Sequence, residues 1–193
     1  LINNTTYVYA GDRAPDFTTQ ITNTLRYQGL ELTFMFDFRK GGKVVNGNDW
    51  FATRTGLSER TLDRYQQVVF DGVVRQADGT FVPNTRPVEL TQNYYQSVLG
   101  GIGTPFIEDA SWTRLRYATL SYGLPASLLG SSFVKGVTLS VTGRNLLLFT
   151  KYSGVDPETA AAGAGVRGGG SGGFDFGSIP GTRGVDMALR VNF

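Results

Sequence analysis

Hydrophobic and polar residues alternate one by one through several separate stretches of this chain. In 182–193, Val185, Met187, Leu189, Val191 and Phe193 share one phase, and Gly184, Asp186, Ala188, Arg190 and Asn192 share the other. A period of two predicts a strand with unlike faces. The same pattern runs through 17–28 and 30–39, where Leu30, Leu32, Phe34, Phe36 and Phe38 alternate with Glu31, Thr33, Met35, Asp37 and Arg39. A two-residue turn at Gln28-Gly29 joins these stretches and fixes a register. Tyr27 meets Leu30, Leu25 meets Leu32, Asn23 meets Phe34, Ile21 meets Phe36 and Thr19 meets Phe38 on one face; Arg26 meets Glu31 and Thr24 meets Thr33 on the other. A slip of one residue would mix the two sets.

Two more strands are predicted at 111–124 and 137–149. In the second, Val137, Leu139, Val141, Leu147 and Phe149 oppose Thr138, Ser140, Thr142 and Arg144. In the first, Leu120, Tyr122 and Leu124 fall in phase with Arg114 and Arg116. Two accounts stay open there. Either the arginines sit at the outer end of an apolar face, where a charge costs only ~0–1 kcal/mol, or a bulge switches the faces. The connections alternate in length: short at 28–29 and 125–136, where one helical turn fits, and long at 40–110 and 150–181, the latter glycine-rich from Gly163 on. Within 40–110, Leu57–Val69 has helical spacing behind a Ser58 cap. Turn signals at Asp71-Gly72 and Asp78-Gly79 predict a small hairpin over 71–87.

The apolar face needs a cover. A second protein layer would make a soluble sandwich; lipid would make a membrane barrel, and the terminal strand alone balances the two. The other face is too charged for a dry core and suits a water-filled interior. Strands of about twelve residues at ~3.3 Å per residue, tilted near ~40°, cross ~30 Å of hydrocarbon. Short turns on one side and long loops on the other are the habit of outer-membrane barrels. The fold expected is therefore all-β, an antiparallel transmembrane β-barrel. Five strands do not close a barrel, so the chain reads as the C-terminal wall of a larger one or as a subunit that shares a barrel with others.

Composition narrows the chemistry. The chain has 193 residues, no Cys and no His. Disulfides, thiolate sites and the commonest general base are thereby removed. Lys plus Arg number 18 and Asp plus Glu 16, a balance that gives no reason to expect nucleic acid. No apolar run approaches the ~18 residues of a membrane-spanning helix. Leu1 opens no signal peptide and the first residue is not Met, so the chain reads as the tail of a longer one whose export signals lie upstream. No enzyme activity and no cofactor are expected.

Several blocks carry a family likeness. They are Gly11-Asp12-Arg13-Ala14-Pro15-Asp16-Phe17, Tyr27-Gln28-Gly29 with Phe36-Asp37-Phe38-Arg39-Lys40-Gly41-Gly42, and Glu108-Asp109-Ala110-Ser111-Trp112-Thr113-Arg114-Leu115-Arg116 closing at Ser121-Tyr122-Gly123-Leu124-Pro125. Gly143-Arg144-Asn145-Leu146 through Thr150-Lys151-Tyr152-Ser153-Gly154-Val155-Asp156-Pro157-Glu158 is the strongest, and the terminal strand completes the set. In this order the chain resembles the C-terminal end of the SusC/RagA family of TonB-dependent outer-membrane transporters; 43–107 shows no family pattern. The resemblance implies a barrel of about 22 strands whose last five are here, without the plug domain. It also implies TonB-energised import of glycans or peptides through the bacterial outer membrane, with a SusD-like surface lipoprotein as partner and TonB engaged through a missing N-terminal part. Val185, Met187, Leu189, Val191 and Phe193 then look like the signal read by the barrel assembly machinery. A passive or structural barrel without energy coupling is the alternative.

Other residues have a bland reading beside a functional one. Arg26, Glu31, Asp37, Arg144 and Arg190 are expected to face the lumen. Trp50, Phe51, Tyr94 and Tyr95 lie in the first long loop, where they either stack on ligand or contact a lid, or pack the loop onto itself. Asp156, Glu158 and Asp175 fit no calcium-loop spacing and read as solvated loop acids. Asp16 and Asp37 read as rim or lumen charges rather than a catalytic pair. Tyr27, Phe38, Tyr122 and Phe149, near strand ends, suit interfacial anchoring.

Overall fold

A computed structural model describes residues 9–130, 133–158 and 173–193. Its largest element is a five-stranded antiparallel sheet whose neighbours follow chain order. Strand β1 (Phe17–Tyr27) turns at Gln28-Gly29 into β2 (Leu30–Lys40). Both turn residues have positive φ, 45° and 82°, the type I′ geometry that matches strand twist and that glycine adopts freely. The register is the one the apolar phases dictate, from Tyr27 opposite Leu30 to Phe17 opposite Lys40.

The chain then leaves the sheet through β3 (Lys43–Asn46) and α1 (Gly47–Thr55). Asn46 caps α1 by accepting from the Asp49 amide at 2.9 Å, and Gly56 ends it in the left-handed conformation. The helix expected over Leu57–Val69 is replaced by a single 3-10 turn, Glu59–Thr61, which Ser58 does cap. Leu62 and Tyr65 have helical spacing but no surface to bury against and remain exposed. Spacing without a partner surface does not sustain a helix. Val69 instead lies in β4 (Gln67–Val69). Next come β5 (Val73–Arg75), β6 (Phe81–Pro83) and β7 (Pro87–Glu89), with β4 pairing β7 and β5 pairing β6. The turn signal at Asp78-Gly79 is where that hairpin reverses.

A π-helical turn at Tyr94–Leu99 and β8 (Ile107–Asp109) return the chain to the sheet as β9 (Trp112–Gly123). After the single turn α2 (Ala126–Leu129) come β10 (Gly136–Thr150), the short β11 (Phe174–Asp175) and β12 (Gly184–Asn192). β3 pairs antiparallel with β8 and parallel with β11, so both long loops fold into one body at the same end of the sheet.

That body holds the dry packing: Val44, Ala110 and Tyr152 form its buried cluster, and Phe106 is fully enclosed beneath Arg60. The sheet has no core of its own. Leu25, Leu120, Leu139, Met187 and Leu189 lie exposed on one face, Leu189 at 65%, and among the described residues no second layer covers them. A soluble sandwich would bury exactly that face, and its bareness is what a wall facing lipid presents.

The sheet is not regular. β2 runs straight past Met35 and Phe36, opposite Tyr117 and Leu115, so Arg116 is an extra residue in β9. Across from it β10 carries two, Asn145 and Leu146, between Arg144 and Leu147. The bulge account of β9 therefore holds, and the outer-end account fails. Ala118, Leu120 and Tyr122 share the apolar face with Leu115 and Thr113, while Trp112 and Arg114 lie on the polar face opposite Arg39 and Asp37.

Candidate functional site

The polar face is built in rows by the register. Thr24 and Thr33 hydroxyls meet at 3.1 Å, and Thr119 and Thr142 continue that row at 2.8 Å. Ser121 and Ser140 pair at 2.9 Å in the row that begins with Arg26 and Glu31, themselves joined at 2.6 Å. Arg144 binds Asp186 at 2.5 Å, and Arg190 stands opposite Thr138. Arg26, Glu31, Asp37, Arg144 and Arg190 thus all lie on one face. Charged and hydroxyl groups paired across strands stabilise a wetted sheet surface by a few tenths to ~1 kcal/mol each.

At the loop end this face carries the densest charge cluster of the described residues. Arg114 and Arg116 project beside Trp112, with guanidinium carbons 5.5 and 5.2 Å from its ring centre. Arg114 Nη2 donates to both oxygens of Asp156, at 2.7 and 2.8 Å, and Nε lies 3.2 Å from Glu158. Arg116 grips Glu158 with both terminal nitrogens and Asp37 at 2.7 Å; Gln20 reaches the same Asp37 carboxylate. Arg114 and Asp156 are almost wholly buried, at 3% and 2% exposure. The arrangement is a tie: wall arginines two residues apart clasp loop acids two residues apart. A buried charge held by a planar, multidentate partner keeps one geometry, because losing the partner would strand the other charge.

Asp156 and Asp175 are therefore not solvated loop acids, as their spacing alone suggested. Asp175 is buried where β11 pairs with β3, and its carboxylate accepts from the Tyr152 hydroxyl at 2.6 Å. Burial, reinforced by that carboxylate, pushes the Tyr152 phenol far above its ordinary range. Beside it, Asn46 and Ser153 bind Glu108 at 3.0 and 2.6 Å, joining β3, β8 and the second loop. Asp16 does not join Asp37; it lies at the start of β1, where its amide donates to the Lys40 carbonyl at 2.8 Å.

The loop aromatics separate. Tyr95 is buried, edge-on to Tyr94 at 5.2 Å, and Tyr94 stacks on Phe70, so this pair packs the loop onto itself. Trp50 donates to the Gly100 carbonyl at 2.8 Å and lies under Arg54. Phe51 is half exposed, edge-on to Phe176. Phe193 stacks on Phe133 at 5.6 Å, while Val185, Met187 and Leu189 stay open on the apolar face.

No family model matches the chain. A structure of the RagAB peptide importer in its open-open state matches 93% of this chain and 17% of that chain with a TM-score of 0.62 at 24% identity, a likeness of fold. Its closed-closed state matches 91% of this chain and 17% of that chain with a TM-score of 0.59 at 24% identity. TonB-dependent receptor P3 of Formosa agariphila is 31% identical over 186 residues, 95% of this chain and 17% of its own length. Receptor P26 of the same organism is 29% identical over 198 residues, all of this chain and 18% of its own length. The chain belongs to the TonB-dependent receptors. These are proteins of the bacterial outer membrane, and the chain spans about a sixth of the curated relatives it matches, 17% and 18%. An apolar face left bare of protein is what a strand wall in contact with lipid presents. The tie of Arg114 and Arg116 to Asp156 and Glu158 escaped the reading of single positions. Its signal was available all the same, as paired arginines at i and i+2 ahead of paired acids at i and i+2.

Proposed function

We propose that this chain forms the last five strands and two external loops of a closed barrel of about 22 strands, in an active importer of glycans or peptides driven through TonB and covered by a SusD-like lipoprotein. The observation that carries this reading is a bilayer-length sheet bare of protein on its apolar face and wetted on the other, in a chain related to TonB-dependent receptors. β1 and β12 are its free margins among the described strands. A strand edge in hydrocarbon leaves backbone groups unsatisfied at several kcal/mol each, so both margins require neighbouring strands.

In this arrangement the Gln28-Gly29 turn is periplasmic and the loop body external. Arg26, Glu31, Asp37, Arg144 and Arg190 line the water-filled interior. The arginine tie fastens the second external loop to the inner wall, at the mouth through which substrate passes. Trp50 and Phe51 are the aromatics open to a lid or a ligand, with Tyr94 and Tyr95 bracing the loop behind them. Val185, Met187, Leu189, Val191 and Phe193 form the assembly signal.

The test is uptake by cells carrying the full-length receptor, with glycan and peptide panels, with and without TonB and the surface lipoprotein. Uptake that needs receptor and TonB, with the lipoprotein copurifying, is expected. Uptake that persists without TonB would replace this reading with a passive barrel.

A further inference from the structure

At the loop end of the apolar face the side-chain pattern changes within one row. Phe38 of β2 and Phe149 of β10 flank Thr113 of β9, as the ladder pairs them. Phe17 and Ile21 of β1 extend this apolar floor, and Phe17, Ile21 and Phe149 are all at least half exposed. Two residues on from Phe38 stands Lys40, on the same face at the end of β2, and two residues on from Phe149 stands Lys151, just past the end of β10. The strands stay joined here: Ser111 Oγ accepts from the Gly41 amide at 2.9 Å, and Thr150 Oγ1 donates to the Ser111 carbonyl at 2.8 Å. The six residues Phe17, Ile21, Phe38, Phe149, Lys40 and Lys151 line one open groove of about 690 Å³. Both lysines are exposed, and neither forms an ion pair with a described carboxylate. Asp109 lies at the groove's rim, its carboxylate engaged by the Ser111 amide and hydroxyl at 2.8 and 2.5 Å.

We propose that this groove binds a phosphate-bearing acylated lipid of the outer leaflet, with the acyl chains on the Phe17, Ile21, Phe38 and Phe149 floor and a headgroup phosphate between Lys40 and Lys151. The inference rests on the external placement of the loop end. The groove opens from the lipid-contacting face, so its occupant is a membrane lipid rather than transported substrate. Aromatic and aliphatic side chains below two cations match a molecule apolar at one end and anionic at the other. The cations stand where the hydrocarbon ends, because the rows below them are apolar and the loop body begins just above. Asp109 offsets part of the positive charge, and Lys43, on the strand that pairs with it, restores it. The lipid would brace the seam where β2, β9 and β10 leave the membrane beneath the loop body.

The test uses the full-length receptor purified in detergent, titrated with bisphosphorylated lipid A and with its dephosphorylated form, and read by native mass spectrometry. A lysine near an anionic surface strengthens binding roughly fivefold, so the receptor should retain the phosphorylated lipid ~10–30-fold better. Lys40→Gln with Lys151→Gln should remove that preference while leaving retention of the dephosphorylated lipid unchanged. Equal retention of the two lipids by the unaltered receptor, or an undiminished preference in the double variant, would overturn the proposal. Heat-modifiable migration of the unaltered receptor from outer membranes separates the two levels. Its absence defeats the barrel reading itself, whereas a folded, embedded receptor indifferent to phosphate defeats the lipid site alone.

Discussion

Arg114 and Asp156 are each tolerable inside the protein only because of the other. Arg114→Ala leaves a buried carboxylate without its cation, and such a break costs ~3–5 kcal/mol. Replacing both partners by Arg114→Met and Asp156→Leu should cost far less, because no charge is then stranded. Urea-dependent protease cutting of the outer loops in the purified receptor reads the difference. Tyr152 yields a pH prediction from the same loop body. Its phenol is raised above the ordinary value of 10.0 by burial and by Asp175. The folded state thus holds this proton more tightly than the unfolded chain, so the contribution is complete below pH ~10 and is lost as pH climbs above it. The loop body should loosen in alkali, with phenolate absorbance appearing above the usual tyrosine range. Tyr152→Phe should abolish that alkaline step, at a cost at neutral pH from the unsatisfied Asp175.

At the scale of elements, the hairpin of β1 and β2 was legible to the last pair because both strands keep an unbroken phase and the turn carries its own residues. β9 was not, because alternation counts residues and a bulge breaks the count. Its arginines fitted either the outer end of the apolar face or a bulge, and Arg116, which has no opposite number in β2, decides for the bulge. α1 also went unread, although Asn46 with Asp49 three residues on is a cap signature. Leu57–Val69 misled for the converse reason, carrying a cap and spacing but nothing to pack on. The bulge in β10 makes its own prediction. Asn145 holds φ of 50°, which asparagine tolerates, and its side chain donates to the Thr182 carbonyl at 2.9 Å. Asn145→Val should cost ~1–2 kcal/mol for the backbone alone, and Asn145→Gly should lose only the hydrogen bond. Unfolding in detergent should rank the unaltered receptor first, then Gly, then Val.

For the whole molecule, the sheet is apolar on one face and polar on the other, and neighbouring residues test both sides of the proposed barrel wall. Ala118 lies mid-strand on the apolar face and Thr119 on the polar one. Ala118→Arg should cost ~2–4 kcal/mol in a bilayer, and Thr119→Arg much less, as judged by urea unfolding in liposomes. The chain's lack of cysteine makes its orientation easy to probe. Asp78→Cys, in the exposed loop hairpin, should react with an impermeant maleimide on intact cells, and Gln28→Cys only after the outer membrane is opened. Reversed labelling would invert the proposed orientation. The two-faced wall was readable from letters because it depends on local alternation. The tie at its loop end joins positions 42 residues apart and needed the folded chain.

Arg116 has one more consequence. A strand's alternation works as a reading frame of two, and a single added residue normally throws everything beyond it out of frame. Here the addition is absorbed by the kink, so Trp112 and Arg114 come back in frame with Asp37 and Arg39. Excising Arg116 would let β9 run past β2 without interruption and keep every other side chain on its present side. The only thing deleted would be the cation that joins Asp37 to Glu158. That shortened chain would undo half of the tie, leaving Arg114 on Asp156, and so loosen the loop without dismantling the wall.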